Sequence, residues 1–317
     1  MAESEHVSLK KKKHRKKMSG GDIVFNVFLY SFLVLFVIVT LYPVYNIFVY
    51  SFSEKFAAVI GHIRLLPRRP TLDNYAKILI PSIHRWKNFH EIDFQYEGFI
   101  RGYINTVLRT LLGTFMGLFA NALLSYILSR KRFLFRTFFS VFWIITMYVQ
   151  GGIVPTYILY SKLHLTKSFL VYIIPGLINA MYVLVMRTYM KNIPDSLEEA
   201  ARIDGAGDWR IFTTVISPLC KPVYAAVALF IAVGHWNSWF DAMLYNRLDS
   251  HLTTVQFELM KKYTELPSKG CVVSSASATP VTIKAASAVL TMLPLLVIYP
   301  FFQRYFIFGL KVGGVKD

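Results

Sequence analysis

Cysteine is nearly absent from this chain of 317 residues. There are two, Cys220 and Cys271, and they share no paired spacing. Without a CxxC pair or a Cys/His cluster, no zinc or redox site is read. Acidic residues are also few, 18 against 35 lysines and arginines, for a formal net charge of +17. Charged residues make up only 17% of the chain, while 55% is hydrophobic and 16% aromatic, with a mean hydropathy of +0.44. That is well above the soluble average. On a soluble chain such a positive surplus would suggest nucleic acid. On one this apolar it points to anionic membrane lipid, and nucleic acid is not an expected partner. A G-x-x-x-x-G-K-[ST] loop is missing too, so nothing cradles a nucleoside phosphate. "MSGGD" at 18–22 lies in a short basic tail with no domain around it, and "HEIDF" at 90–94 lacks the second histidine of a zinc helix. No catalytic constellation remains. The chain is expected to be no enzyme and to hold no cofactor or metal of its own.

What is present is long apolar runs. A spanning helix needs about 20 mainly apolar residues. Six segments qualify, at about 23–50, 99–128, 135–160, 169–190, 222–245 and 285–306. The expected fold is an all-α integral membrane protein with six transmembrane helices. The first run follows "LKKKKHRKK" and is too long for a signal peptide, so residues 1–22 read as a basic cytoplasmic tail and the first run as a retained span. Six crossings return the C-terminus to the same side, and the basic loop "SRKRFLFR" (129–136) then also faces the cytoplasm. The stretches 51–98 and 246–284 become extracytoplasmic loops. Cys220 and Cys271 fall on opposite sides, so no disulfide between them is expected.

Three interruptions stand out. "GTFMG" places Gly113 and Gly117 four apart, a spacing that lets helices approach closely, within one subunit or between two. "QGGIVPTY" should break or kink the third segment at Gly151, Gly152 and Pro155. The third is polar: "PDSLEEAARIDGAGDWRIFTTVISPLCKP", residues 194–222. Ser196 and Glu199 fit a capping box, Gly205 and Gly207 a sharp turn, and Asp208 the cap of a second helix. Pro218 and Pro222 mark the entry to the fifth span. This reads as a helix–turn–helix on the cytoplasmic face. Its alanines would give a flat surface for a partner groove, unless it is only a solvated linker.

The same stretch resembles the EAA loop of bacterial ABC importer permeases, E-A-A, three residues, G, nine residues, I-x-L-P. Glu199, Ala200, Ala201, Asp204 and Gly205 match the first half. Val215, Ile216, Ser217 and Pro218 follow at the expected distance, with Val215 for the isoleucine and Ser217 for the leucine. "NTVLRTLLGT", "VPTYILYSKLHLTKSF", "VMRTYMKNIPDSLEEAA", "WNSWFDAMLY" and "YPFFQRYFIFGLKVGGVK" look like maltose-type carbohydrate permeases, most like the branch importing oligosaccharides and polysaccharide fragments. The resemblance covers most of the chain from about residue 20. It implies the type I importer permease fold in a bacterial plasma membrane, with Glu199, Ala200, Ala201, Asp204, Gly205 and Pro218 coupling to an ATPase. It also implies a second permease subunit, two cytoplasmic ATPase subunits carrying ATP and magnesium, and an extracytoplasmic binding protein that delivers an oligosaccharide. Rival readings are a permease for another solute, a stand-alone carrier, and a scaffold that recruits a partner.

A sugar path wants aromatic faces and hydrogen-bonding side chains. "GHWNSWFDAMLY" in the fifth segment offers Trp236, Asn237, Trp239 and Asp241. His235/Trp239 and Asn237/Asp241 are each four apart and would share helix faces. Asp241 should face a cavity, a partner or the outer interface, because lipid is costly to an ionisable group. The same residues could instead form an aromatic belt at the outer membrane boundary.

Overall fold

The structure is a computed structural model that describes residues 20–54, 66–67, 69–79, 94–149, 151–265 and 280–314. The side chains of 77, 94–97, 265, 280 and 301–314 are outside that description. Most of the basic tail, much of the first loop, "HEIDF" up to residue 93 and Cys271 therefore lie outside the described residues. Every described element is helical. The helices are α1 (Gly20–Ser51), α2 (Asp73–Leu79), α3 (Phe94–Ser129), α4 (Arg136–Tyr148), α5 (Ile153–Lys162), α6 (Ala180–Lys191), α7 (Asp195–Ile203), α8 (Asp208–Leu219), α9 (Lys221–Asn237), α10 (Phe240–Tyr245), α11 (Val255–Glu265) and α12 (Pro280–Gly314). The chain divides into two units between Ile47 and Phe48.

Three helices are long and apolar enough to cross a membrane, and there are up to six spans if each bent pair counts as one. The expected six segments are thus present, but only the first, second and last are continuous. The third breaks at Gly151–Gly152, where Gly152 adopts φ +82° and the two halves meet at 117°. Pro155 sits in the first turn of α5, where its missing N–H costs nothing. The fourth begins as 3₁₀ turns, Phe169–Tyr172 and Ile174–Gly176, and bends by 45° into α6. The fifth ends at Asn237 rather than 245, because Ser238 is extended and a separate short helix, α10, follows. The stretch from 246, expected as loop, contains α11, which packs on α3 and α12.

Broken backbone at membrane depth needs partners from within the protein. α3 supplies them. It packs against α6, α9 and α11, and its polar side chains point at their irregular backbone. Asn105 Nδ2 donates to the carbonyls of His251 (2.6 Å) and Thr253 (2.9 Å), and Thr106 Oγ1 accepts from Val255 N (3.0 Å). Deeper, Asn121 Nδ2 donates to Leu177 O (2.8 Å) while its Oδ1 accepts from Asn179 N (2.9 Å). Ser125 Oγ bonds the carbonyl of Val183 (3.0 Å). Asn121 and Ser125 are fully buried, so each bond replaces one that water cannot make. Around them the apolar core gathers Tyr126, Met186, Met190, Ile211, Ile216 and Val227 at one end, and Ile78, Phe99, Val255 and Ala286 at the other.

The glycines of "GTFMG" face α9 of the same chain, which favours packing within one subunit. A Cβ at Gly113 would fall on the His235 imidazole, whereas one at Gly117 would make ordinary contact with Ile231 at 3.6 Å. Gly102 meets backbone instead, since its Cβ would stand 2.9 Å from the carbonyl carbon of Thr254. Gly102→Ala and Gly113→Ala should each cost about 1–3 kcal/mol through overpacking, and Gly117→Ala should be near neutral. Thermal melting of the purified protein checks this order, and equal losses at all three positions would contradict it.

Candidate functional site

The polar stretch 194–222 folds as α7, a tight turn and α8. α7 starts at Asp195 with Pro194 in the cap position and no side-chain cap bond. The expected capping box therefore does not form, because Ser196 already lies inside the first turn. Asp195 and Glu198 in that turn complement the positive helix end. The other end follows the glycine expectation. Gly205 adopts φ +81°, Gly205 N bonds Arg202 O (3.0 Å) and Ala206 N bonds Ala201 O (2.9 Å). These two bonds make a Schellman stop, which satisfies carbonyls left open by the helix end. Gly207 caps α8 by its backbone, so Asp208 is the first helical residue and not its cap, a correction to the sequence expectation. Within α8, Ile211–Ile216 is π-helical. This wide turn ends just before Ser217 and Pro218, whose ring nitrogen has no proton to give. Cys220 then turns the chain through 84° into α9.

α7 has two faces. The inner face carries Glu198, which is buried, and Ala201, which packs with Ala206 on the core of Met190, Ile211 and Phe212. Glu198 Oε2 accepts from Arg130 Nη1 at 2.8 Å, and both side chains are at most about one-tenth exposed. Arg130 directly follows the last residue of α3. It also donates to Met190 O at the end of α6 (3.0 Å) and lies over the Tyr126 ring. Glu198 Oε1 accepts from Arg202 (2.7 Å), which reaches on to Asp208 (2.6 Å). The Glu198 hydrogen bond raises the Arg202 guanidinium further above its ordinary range. At the rim, a bond from Lys131 holds the Asp195 carboxyl below the usual carboxylate range. The outer face exposes Glu199, Ala200, Asp204 and Gly205. Beside them stand two exposed apolar side chains: Ile203 is 86% exposed and Trp209 59%. Pro218 is exposed further along.

The alanines thus do not act together, since Ala200 faces outward and Ala201 inward. Sequence reasoning singled out Glu199 and passed over its neighbour Glu198, over Arg130, and over Ile203 and Trp209. A helical wheel separates the two glutamates by about 100°, but only the position of Arg130, 68 residues away, shows which one is buried.

The fifth-segment residues are distributed otherwise than the helical spacing suggested. Because α9 stops at Asn237, Asn237 and Asp241 lie on different helices and do not share a face, and neither do His235 and Trp239. Trp236 is buried, its Nε1 donates to Thr291 O of α12 (2.9 Å), and its ring meets Tyr103 edge-on. Asn237 is exposed and its Oδ1 accepts from Gln256 (3.4 Å). Trp239 is half-buried against Tyr172 and Ala242. Asp241 is partly buried and paired. It takes both terminal nitrogens of Arg109 (3.2 and 2.5 Å) and accepts from Ala242 N (2.8 Å). Arg109 is itself 2% exposed and lies 4.5 Å over the Tyr172 ring.

The described residues hold no cluster of three or more metal-ligating side chains. Comparison with known proteins bears on this geometry. Residues 109–312 match the family model for the binding-protein-dependent transport system inner membrane component. The polygalacturonan/rhamnogalacturonan transport system permease protein YtcP of Bacillus subtilis is 31% identical over 92% of this chain and 98% of its own length. The arabinooligosaccharides transport system permease protein AraQ of Halalkalibacterium halodurans is 30% identical over 61% of this chain and 66% of its own. Among solved structures, a chain of a bacterial ABC transporter involved in the import of the acidic polysaccharide alginate matches with a TM-score of 0.80. It is 28% identical and covers 92% of this chain and 99% of that one. The α7–α8 loop, the six-segment pattern and these matches agree: the chain belongs to the binding-protein-dependent transport system inner membrane component family and is a membrane permease subunit, not itself an enzyme.

Proposed function

We propose that residues 194–222 are the seat through which a separate cytoplasmic ATPase drives this permease to import an oligosaccharide. The observation that carries the reading is the two-faced α7. Its inner face is tied by Glu198 to Arg130, and its outer face leaves Glu199, Ala200 and Ile203 uncovered. A groove in the ATPase closes over that outer face, with Ile203 and Trp209 as apolar anchors and Asp204 and Gly205 shaping the turn. ATP and magnesium belong to the ATPase. A second permease encloses the path, a second ATPase serves it, and an extracytoplasmic binding protein delivers the glycan. Both termini lie in the cytoplasm, which puts the "SRKRFLFR" loop and α7 on one side as the positive-inside rule asks.

Movement of α7 would be passed to α3 by Arg130. α3 is unbroken from Ser129, next to Arg130, to Arg109, about 30 Å at 1.5 Å per residue, and Arg109 grips Asp241 of α10. ATP must bind the outward-facing state better than the inward-facing one, or its binding shifts nothing. Asn237 and Trp239 are the fifth-segment residues placed to meet sugar. Trp236 and Asp241 support them from behind, through α12 and α3.

Three outcomes follow. Ile203→Asp should weaken ATPase capture at least tenfold, about 1.4 kcal/mol, without loss of helicity, and normal uptake by a Gly205→Trp variant would sink the coupling role. Arg130→Met and Glu198→Gln should each cost about 3–5 kcal/mol by stranding the other's charge. The double variant should cost clearly less than both together, which a double-mutant cycle in thermal melts measures. Trp239→Ala with Asn237→Ala should cut sugar uptake while ATPase capture persists. Unaltered uptake would assign them to the membrane boundary.

A further inference from the structure

A cleft of about 1140 Å³ opens between α5 and the segment that follows α10. One wall is Tyr157, whose ring stacks on that of Tyr245 at 5.9 Å and 9° from parallel. The lining also carries Lys167, Arg247 and His251. Asp249 is the one acid in the lining, and it is turned into its own loop, where Oδ1 accepts from His251 N (2.8 Å). A further cation backs the rim, since Arg101 Nη1 lies 3.2 Å from His251 Nδ1.

The rim is built, not slack. Lys167 holds φ +58° and His164 φ +55°, left-handed conformations that cost a side-chain-bearing residue and persist only where the surroundings impose them. Here the turn is clamped across the cleft. Lys167 N donates to Tyr245 O (3.4 Å), and the buried Asn246 donates to Ser168 O (3.3 Å). The clamp leaves the Lys167 and Arg247 side chains exposed at the cleft mouth. Exposed aromatic surface beside two exposed cations is the surface that a sugar ring bearing a carboxylate asks for. The ring face lies on the tyrosine, and the carboxylate meets a guanidinium or ammonium.

We infer that this cleft binds an acidic oligosaccharide, one built of uronic acid residues, with Lys167 and Arg247 reading the carboxylates and the Tyr157–Tyr245 pair supporting a sugar ring. This rests on the reading above, in which the chain forms part of a glycan route, and it narrows that route to anionic glycans. A neutral sugar would leave the cations unanswered.

The test uses the assembled transporter in phosphatidylcholine nanodiscs, without nucleotide and without the delivery protein. Trigalacturonate, its methyl ester and maltotriose are offered in turn, and saturation transfer from protein to sugar is read by NMR. Trigalacturonate should give a strong signal that fades at about 1 M salt, where the Debye length is about 3 Å. The signal should fall at least fivefold in the Lys167→Gln/Arg247→Gln variant and persist in Lys167→Arg/Arg247→Lys, which guards against a folding artefact. An equal signal from the methyl ester would overturn the inference, as would a trigalacturonate signal indifferent to Lys167→Gln/Arg247→Gln. So would a variant that keeps the sugar signal but no longer captures the delivery protein, which would make the cleft a protein dock. Failure of the coupling reading shows separately, as an assembly that purifies without an ATPase.

Discussion

The architecture depends on the need to satisfy backbone polar groups where no water reaches them. Three of the six spans are bent or broken, and each break frees N–H and C=O groups inside a nonpolar medium. α3 answers those of the fourth span. Asn105, Thr106 and Asn121 recur along it and bond the backbone that leads into α6 and α11, and Ser125 bonds a carbonyl within α6. An unpaired group at such depth costs several kcal/mol, so the breaks and the polar residues of α3 require each other. The helix is apolar enough to span and polar enough to hold its neighbours' irregularities in place.

One ion pair stands midway along this helix and another just past its C-terminal end. Arg130 holds Glu198 of α7, and Arg109 holds Asp241 of α10. Buried pairs add little net stability over apolar packing, but losing one partner is costly. Their effect is therefore positional. They fix which part of α7 and which part of α10 move with α3, in a region where apolar contacts alone would let helices slide. Each arginine also makes a second contact, to Met190 O or to the Tyr172 ring, so a third element is drawn into each node.

Loop 194–222 combines a rigid inner side with an uncovered outer one. The Schellman stop at Gly205 and the π-helical turn before Pro218 bring Ala201, Ala206, Ile211 and Phe212 onto one core. That leaves Glu199, Ala200 and Ile203 turned away from it, while the half-exposed Trp209 rests at its edge against Phe212 and Phe119. A surface of this kind, firm from behind and apolar in front, suits a partner that must push rather than merely hold.

Local sequence determined much of this protein. Apolar runs of spanning length, the glycines at 152 and 205 and the prolines at 155 and 218 act through the chain next to them, so the six segments, the break in the third and the turn of the polar loop were legible. The EAA spacing identified the loop. What was not legible depended on contacts between distant residues. Helical spacing could not show that α9 ends at Asn237, since Ser238 and Trp239 are unremarkable in type and the end is held by Arg109 gripping Asp241, 132 positions away. Nor could it choose between Glu198 and Glu199, because both suit an amphipathic helix and only Arg130 decides which turns inward. Hydropathy and backbone preference are properties of neighbours in the chain, while the pairing of buried charges is a property of the packed helices, and it was the packing that decided which residues hold the loop and which are left to meet a partner.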